Sequence, residues 1–341
     1  MVFPGKKKIY IFFFVFLLII AGFYIFRRAE QEINLYSQAE FFMDTVVSIK
    51  IGEDPAVEKA VNKAFEVMKK EAIRLNRYKE DSVIYKINYS DGKTINIERD
   101  IFLLLKKAKK YQELSGGAFD ISIAPLVDLW GFGKEKQRVP EDYEIKEILP
   151  LIDSNKLLLQ KEYEQYRVYL PSEMSLDLGA IAKGYIIDKG VESLIKSGYD
   201  SFYINAGGNI RVNGEKSPGR SWHIGIRDPA TPASILTEYI TALKKGSLAT
   251  SGDYERFFES EGKRYSHLLN PRTGYQERSL RSATIYAPTA LQADILSTAV
   301  FIKGWEEGKI FINSLENVEG VLITDDEIWL SEGFKKLLIL Q

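Results

Sequence analysis

Cysteine is absent from all 341 residues of the chain. That excludes disulfides, thiolate metal sites, a cysteine nucleophile and lipid attachment at an N-terminal cysteine, and it leaves the redox compartment open. Charge of one sign is missing too, since 46 Lys and Arg against 47 Asp and Glu give a formal net charge of -1. No global field attracts polyanions and no basic cluster is interleaved with aromatics, so nucleic acid is not an expected partner. Histidine is scarce, with two in the whole chain. HExxH, GxSxG and Walker A patterns are lacking, as are internal repeats and low-complexity tracts. Gly179 to Gly184 has the spacing of a phosphate loop, but Tyr185 stands where its lysine belongs.

What is there suffices for a large core. The composition is 45% hydrophobic and 27% charged, which fits two subdomains or one long α+β unit. Lys6, Lys7 and Lys8 precede an unbroken apolar run at 9–26, and Arg27-Arg28 follow it. Helical residues in that number reach about 27 Å, enough to cross a hydrocarbon core, and no small-residue cleavage site follows closely. The reading is an uncleaved anchor, with a cleaved signal peptide as the alternative. The lysines and the N-terminal amine place residues 1–8 in the cytoplasm and the body outside. Residues 27–40 read as a polar linker, and the folded domain is expected over 41–341.

In the body, the alternating, β-branched stretch at 45–51 predicts a strand, and Pro55 opens an amphipathic helix to about residue 77. Helices follow at 82–87, 98–114 and 141–152, with a hairpin at 156–170. SLDLGAIAKGYIID at 175–188 carries a carboxylate, two glycines and a lysine at a predicted helix start. There Asp177 would cap the helix, and the first-turn N–H groups with Lys183 would form a floor for phosphates. The alternative is an ordinary capped helix with Ala180, Ile181, Tyr185 and Ile186 on its buried face. Antiparallel strands are predicted at 202–205, 210–212, 221–227, 235–243, 247–250 and 282–287. Helices at 288–304 and 305–315 and strands at 319–324 and 327–331 complete the chain.

Several short stretches carry candidate chemistry. Gly116 and Gly117 allow a tight turn that would leave N–H groups, the Phe119 ring and the Asp120 carboxylate at a cleft edge. Trp130 and Phe132 either stack on a planar ligand or pack in a core. Tyr78 either faces a ligand or covers a helix end. The turn at Ala206-Gly207-Gly208-Asn209 is a second point where a ligand could approach. His267 sits beside a turn and is suited to proton transfer, or serves as a hydrogen-bonded structural residue. Asp294 and Thr298 share one helix face and offer two hard oxygens for Mg²⁺; otherwise the threonine bonds back to its own helix and the aspartate is solvated.

Taken together, FMDTVVSI, NRY, SGGAFDISIAPLVDLWGFG, LDLGAIAKGYIID, INAGGNI, WHIGIRDP, ATSGDYER, SHLLNPRTG and APTALQADILSTA resemble, in order and spacing, the FAD:protein FMN transferase (ApbE) family over about residues 41 to 330. The resemblance implies an α+β fold of two intertwined subdomains, with mainly antiparallel sheets, packed helices and a flavin cleft between them. It implies Mg²⁺-dependent cleavage of FAD at its pyrophosphate, with FMN joined through its phosphate to a Thr or Ser hydroxyl of a target flavoprotein while AMP leaves. The targets it implies are membrane redox subunits and other extracytoplasmic flavoproteins. By position, Ala180 (through its carbonyl), Asp294 and Thr298 match the family's Mg²⁺ ligands. Met43, Tyr78, Ala118, Phe119, Asp120, Asp177, Lys183 and Leu269 match positions that contact FAD. His267 is the candidate proton acceptor, with Asp294 competing. Asn270 stands where many relatives have Asp. No lipobox cysteine is present, so the apolar helix would replace the lipid as anchor. Two other functions remain compatible with the residues: a passive surface flavin-binding protein, and a Mg²⁺-dependent FAD pyrophosphatase.

Overall fold

A computed structural model describes residues 34–339 apart from Glu135 and Pro232. The expected basic N-terminus and apolar anchor lie outside the described residues. Among the described residues no helix is long and apolar enough to cross a membrane.

The described residues begin with a hairpin, β1 (Leu35–Phe42) and β2 (Thr45–Gly52), and continue into helix α1 (Val57–Leu75). On β2 the β-branched Val47, Ile49 and Ile51 face inward with no exposure, while Lys50 faces out, which is the period-2 pattern of a half-buried strand. Helix α1 buries Val57, Ala60, Val61, Ala64, Phe65 and Met68 along one stripe and stops at Asn76, whose backbone turns extended. Next come α2 (Val83–Asn88), β3 (Ile95–Ile97), α3 (Arg99–Leu114), α4 (Ala124–Trp130) and α5 (Asp142–Ile148), then the hairpin β4 (Leu158–Glu162) and β5 (Gln165–Tyr169). Helix α6 (Ala182–Lys196) leads into β6 (Phe202–Ala206), β7 (Asn209–Asn213), β8 (Trp222–Arg227), β9 (Ile235–Leu243) and β10 (Lys245–Gly252). The remainder is β11 (Phe257–Ser260), β12 (Lys263–Ser266), β13 (Ser282–Ala287), α7 (Ala290–Asn313), β14 (Glu319–Ile323), β15 (Ile328–Leu330) and α8 (Glu332–Lys335).

One 8-stranded sheet in the order β1-β2-β6-β7-β10-β13-β14-β15 carries the fold, and each neighbouring pair is antiparallel. Alternation along its strands sorts side chains to two faces. Ile204, Ala249, Ala283, Ile285 and Leu322 join the main core under α1, α6 and α7. Val212, Leu248, Val321 and Ile323 face the other way, where the β8–β9 hairpin and Phe334 of α8 cover them. A third cluster, Leu126, Trp130, Phe132, Ile145 and Leu269, joins α4 and α5 to the loop after β12. The architecture is therefore α+β with mainly antiparallel sheets, as expected.

Three local expectations are corrected. Residues 35–40, read as linker, form most of the edge strand β1, where Gln38 donates to Asn62 of α1 at 2.9 Å and Glu40 pairs with Lys69. Polar partners on the inner face remove the apolar alternation by which a strand is recognised. The helix predicted from Leu178 starts at Ala182. The helices predicted on either side of residue 304 run together as α7, broken at Gly304 (φ 74°).

Candidate active site

Helices α6 and α7 cap each other. Gly184 is the third residue of α6, and another turn of helix would direct its N–H to the Ala180 carbonyl; instead it donates to Oδ2 of Asp294 on α7 at 2.9 Å. The first ladder bond of α6 is Tyr185 N–H to Ile181, which leaves the Ala180 carbonyl outside the helix. In return, Asp188 on α6 accepts from the N–H groups of Ala290 and Leu291 at 3.0 Å each, and Thr289 caps Gln292 at 3.2 Å. Gly184 makes this crossing possible, because a Cβ there would stand 2.4 Å from the Ala290 carbonyl oxygen and 2.6 Å from Leu291 Cα.

Asp294 is 4% exposed, and Nδ2 of Asn209 donates to its Oδ1 at 2.6 Å. Burial raises its pKa, opposed by the Lys183 charge, the Gly184 N–H and the Asn209 amide. One turn on, Thr298 bonds back to the Asp294 carbonyl at 3.4 Å and lies 3.3 Å from the Ser251 hydroxyl, itself 3.0 Å from that of Ser297. So the threonine follows the alternative reading, and the aspartate does not, since it is buried rather than solvated. Among the described residues no three acidic, histidine or cysteine side chains cluster as a metal centre. Hard oxygens from a carboxylate, a hydroxyl and a freed carbonyl are nevertheless the chemistry Mg²⁺ takes, and the buried Asp294 charge has no ion-pair partner among the described residues. The residues fit the ion.

Lys183, half-buried on the same turn, has its field felt at Asp294, Glu255 and His267. Burial raises the pKa of Glu255, with Lys183 and Arg227 opposing. His267 donates from Nδ1 to the Arg256 carbonyl at 3.1 Å, since a carbonyl can only accept, and so Nε2 keeps its lone pair. Burial pushes this imidazole down to about 4, and the Arg256 and Lys183 charges add to the effect. The ring is neutral at physiological pH. Arg256 also pairs with Asp44 at 3.6 Å, in the β1–β2 turn where Met43 and Asp44 both take positive φ. That turn packs on the β6–β7 turn, for a Cβ on Gly207 would lie 2.4 Å from the Thr45 hydroxyl. Met43, Asn209, Asp294, Lys183 and His267 thus converge at one end of the sheet.

A second group surrounds Arg77, whose type and position alone mark no site. Its guanidinium holds Asp128 at 2.7 and 3.2 Å, reaches Asp177 through Nε at 2.9 Å and donates to the Tyr78 hydroxyl at 2.6 Å. Tyr78 is 56% exposed and stands against Gly133. Asp177 does not cap α6; its Oδ1 accepts from Gly179 N–H at 2.7 Å within a turn, because two further residues precede the helix. Phe132 bridges the groups, with its ring 6.4 Å from that of His267.

The cleft-edge expectation for Ala118, Phe119 and Asp120 is corrected. All three are buried, and the Asp120 carboxylate is occupied by Ser122 N–H and hydroxyl at 2.8 and 2.7 Å and by Ser154 N–H at 3.0 Å. Leu269 and Trp130 are likewise in the core, with the indole N–H on the Gly274 carbonyl at 3.0 Å.

A buried carboxylate at a helix N-terminus, with the charge of a lysine felt both there and at a neutral imidazole, is an arrangement suited to phosphate-ester chemistry on an antiparallel α+β scaffold. Known proteins make that class specific. The sequence pattern of the ApbE family matches residues 43–322, and the chain belongs to that family. It is 32% identical to the FAD:protein FMN transferase of Treponema pallidum over 319 residues, 87% of each chain. To that of Haemophilus influenzae it is 32% identical over 323 residues, 90% of this chain and 93% of the relative. The crystal structure of the ApbE protein from Thermotoga maritima superposes with a TM-score of 0.84 at 31% identity, covering 90% of this chain and 100% of that one. Pseudomonas stutzeri flavinyl transferase ApbE gives 0.80 at 25% identity, over 91% and 98%.

Proposed function

We propose that this chain transfers FMN from FAD to a Thr or Ser hydroxyl of a target flavoprotein, with AMP leaving. The observation that carries the reading is the convergence of Lys183, Asp294, Thr298 and a neutral His267 at the head of α6, in a chain whose relatives are named for this reaction. Ala180, Asp294 and Thr298 would hold Mg²⁺, which supplies neutralisation of the pyrophosphate charge. Lys183 and the α6 N-terminus bind the same phosphates. Nε2 of His267 accepts or orients the proton of the acceptor hydroxyl, because its lone pair is free and Nδ1 is fixed. Asp294 is the weaker candidate base, since a carboxylate holding a cation loses basicity. Tyr78, Asp177 and Met43 line the flavin side, with Ala118, Phe119, Asp120 and Leu269 contributing main-chain groups. The apolar run at 9–26 anchors the enzyme in the membrane with its catalytic domain extracytoplasmic, where membrane redox subunits are the targets.

The deciding experiment incubates the enzyme with FAD, Mg²⁺ and a peptide bearing a Thr-containing flavinylation site. A fluorescent, covalently labelled peptide is the expected result. FMN and AMP without label would mean hydrolysis, and unchanged FAD would mean passive binding.

A further inference from the structure

Asp294 has two neutral donors, and only one comes from its helix partner. The Gly184 N–H at Oδ2 is a helix cap, whereas the Asn209 amide at Oδ1 arrives from the first residue of β7, across the end of the sheet. Asn209 is 2% exposed, and its bond at 2.6 Å is at the short end for N–H···O. A lysine or arginine in its place would quench the carboxylate charge. An amide orients the group and leaves its full charge, with one lone pair on each oxygen still uncommitted. The backbone around Asn209 is built for this approach. Gly207 and Gly208 take positive φ, and Gly208 N–H is held by the Asn205 side chain at 2.9 Å.

We infer that Asn209 is a positioning residue for the transfer reaction, holding the Asp294 carboxylate in the one orientation that presents its free lone pairs to a divalent cation. The inference rests on the reading of Asp294 as a cation ligand. Hydrogen bonds behind a metal ligand commonly set affinity by ten- to hundredfold when removed. Asn209 therefore acts through Asp294, the one side chain among the described residues that its amide is bonded to.

Binding of Mn²⁺ to the full chain, followed by the electron paramagnetic resonance of free Mn²⁺, tests this without relying on turnover. Asn209→Leu, which keeps the branched outline and removes the donor, should weaken Mn²⁺ binding about tenfold or more and raise the Mg²⁺ concentration for half-maximal activity by a similar factor. FAD binding, read by flavin fluorescence, should stay within about twofold, and kcat at saturating Mg²⁺ should largely recover. Asn209→Ser, which keeps a donor and leaves room for a water, should fall between and guards against a leucine variant that fails to fold. Asp294→Ala separates the two levels of the argument. Unchanged Mn²⁺ binding in Asp294→Ala overturns the ligand reading itself. Loss of binding there with wild-type binding in both Asn209 variants overturns the role of Asn209 alone.

Discussion

At the scale of single residues, charge placement decides the site. Lys183 projects from the first turn of α6 into the field of Asp294, Glu255 and His267 and is only half-buried, so its side chain serves binding more than packing. A charge-assisted contact to phosphate contributes about 1.5–3 kcal/mol, so Lys183→Met is expected to lower kcat/KM for FAD roughly ten- to hundredfold with little change in Tm. Lys183→Arg should recover part of this, because a planar fork is a poor substitute for a compact ammonium. Loss of Tm with kinetics intact would make Lys183 a packing residue. His267 offers a test by pH. Its folded pKa of about 4 lies below the ordinary 6.5, so below 6.5 the unfolded chain takes up a proton that the folded chain refuses. Stability therefore falls as pH drops through that window and levels off below it. Thermal melts at pH 7 and pH 4.5 should show a smaller acid loss in His267→Gln than in the wild type; equal losses would mean that the imidazole is not held neutral.

At the scale of elements, the crossing of α6 and α7 joins the lysine and the carboxylate into one unit. A methyl at Gly184 meets backbone atoms of α7, which cannot rotate away, so Gly184→Ala should cost about 1–3 kcal/mol and reduce activity out of proportion to the folded fraction. Urea titration beside an activity assay checks both; wild-type stability would mean that the helices separate freely. This crossing also marks where the sequence stops being legible. Strand β2, helix α1, the β4–β5 hairpin and the β6–β7 turn could all be read, because their apolar periods and glycines are local signals. That Asp294 and Lys183 belong to one site could be read only through a family resemblance. The role of Arg77 could not be read from its place in the NRY stretch at a helix end, because what makes it a hub is Asp128 and Asp177, distant in sequence. Asp120 was misread for the same reason, since the Ser154 N–H that turns it inward lies on another segment. Strand β1 escaped notice because its polar residues are satisfied by α1, a contact that exists only after folding.

At the scale of the whole molecule, the described residues from β1 onward bury a large core of their own between the sheet and α1, α6 and α7. Deletion of residues 1–28 is therefore expected to give a soluble protein that keeps its flavin transfer, while the full chain pellets with membranes. Ultracentrifugation and the peptide-labelling assay measure this, and aggregation of the truncated protein would show that the run packs on the body. The sheet order carries a further consequence, in time rather than in space. Strand β2 pairs on one side with β1, its neighbour in sequence, and on the other with β6, where Val47 lies opposite Ala206. A ribosome adding roughly 5–20 residues per second makes those two positions on the order of ten to thirty seconds apart. Through that interval the first hairpin has an unpaired inner edge, and of the helices over Val47, Ile49 and Ile51 only α1 has been made. The order of synthesis therefore makes β6 the strand that closes the sheet around β2, long after the first hairpin has left the ribosome.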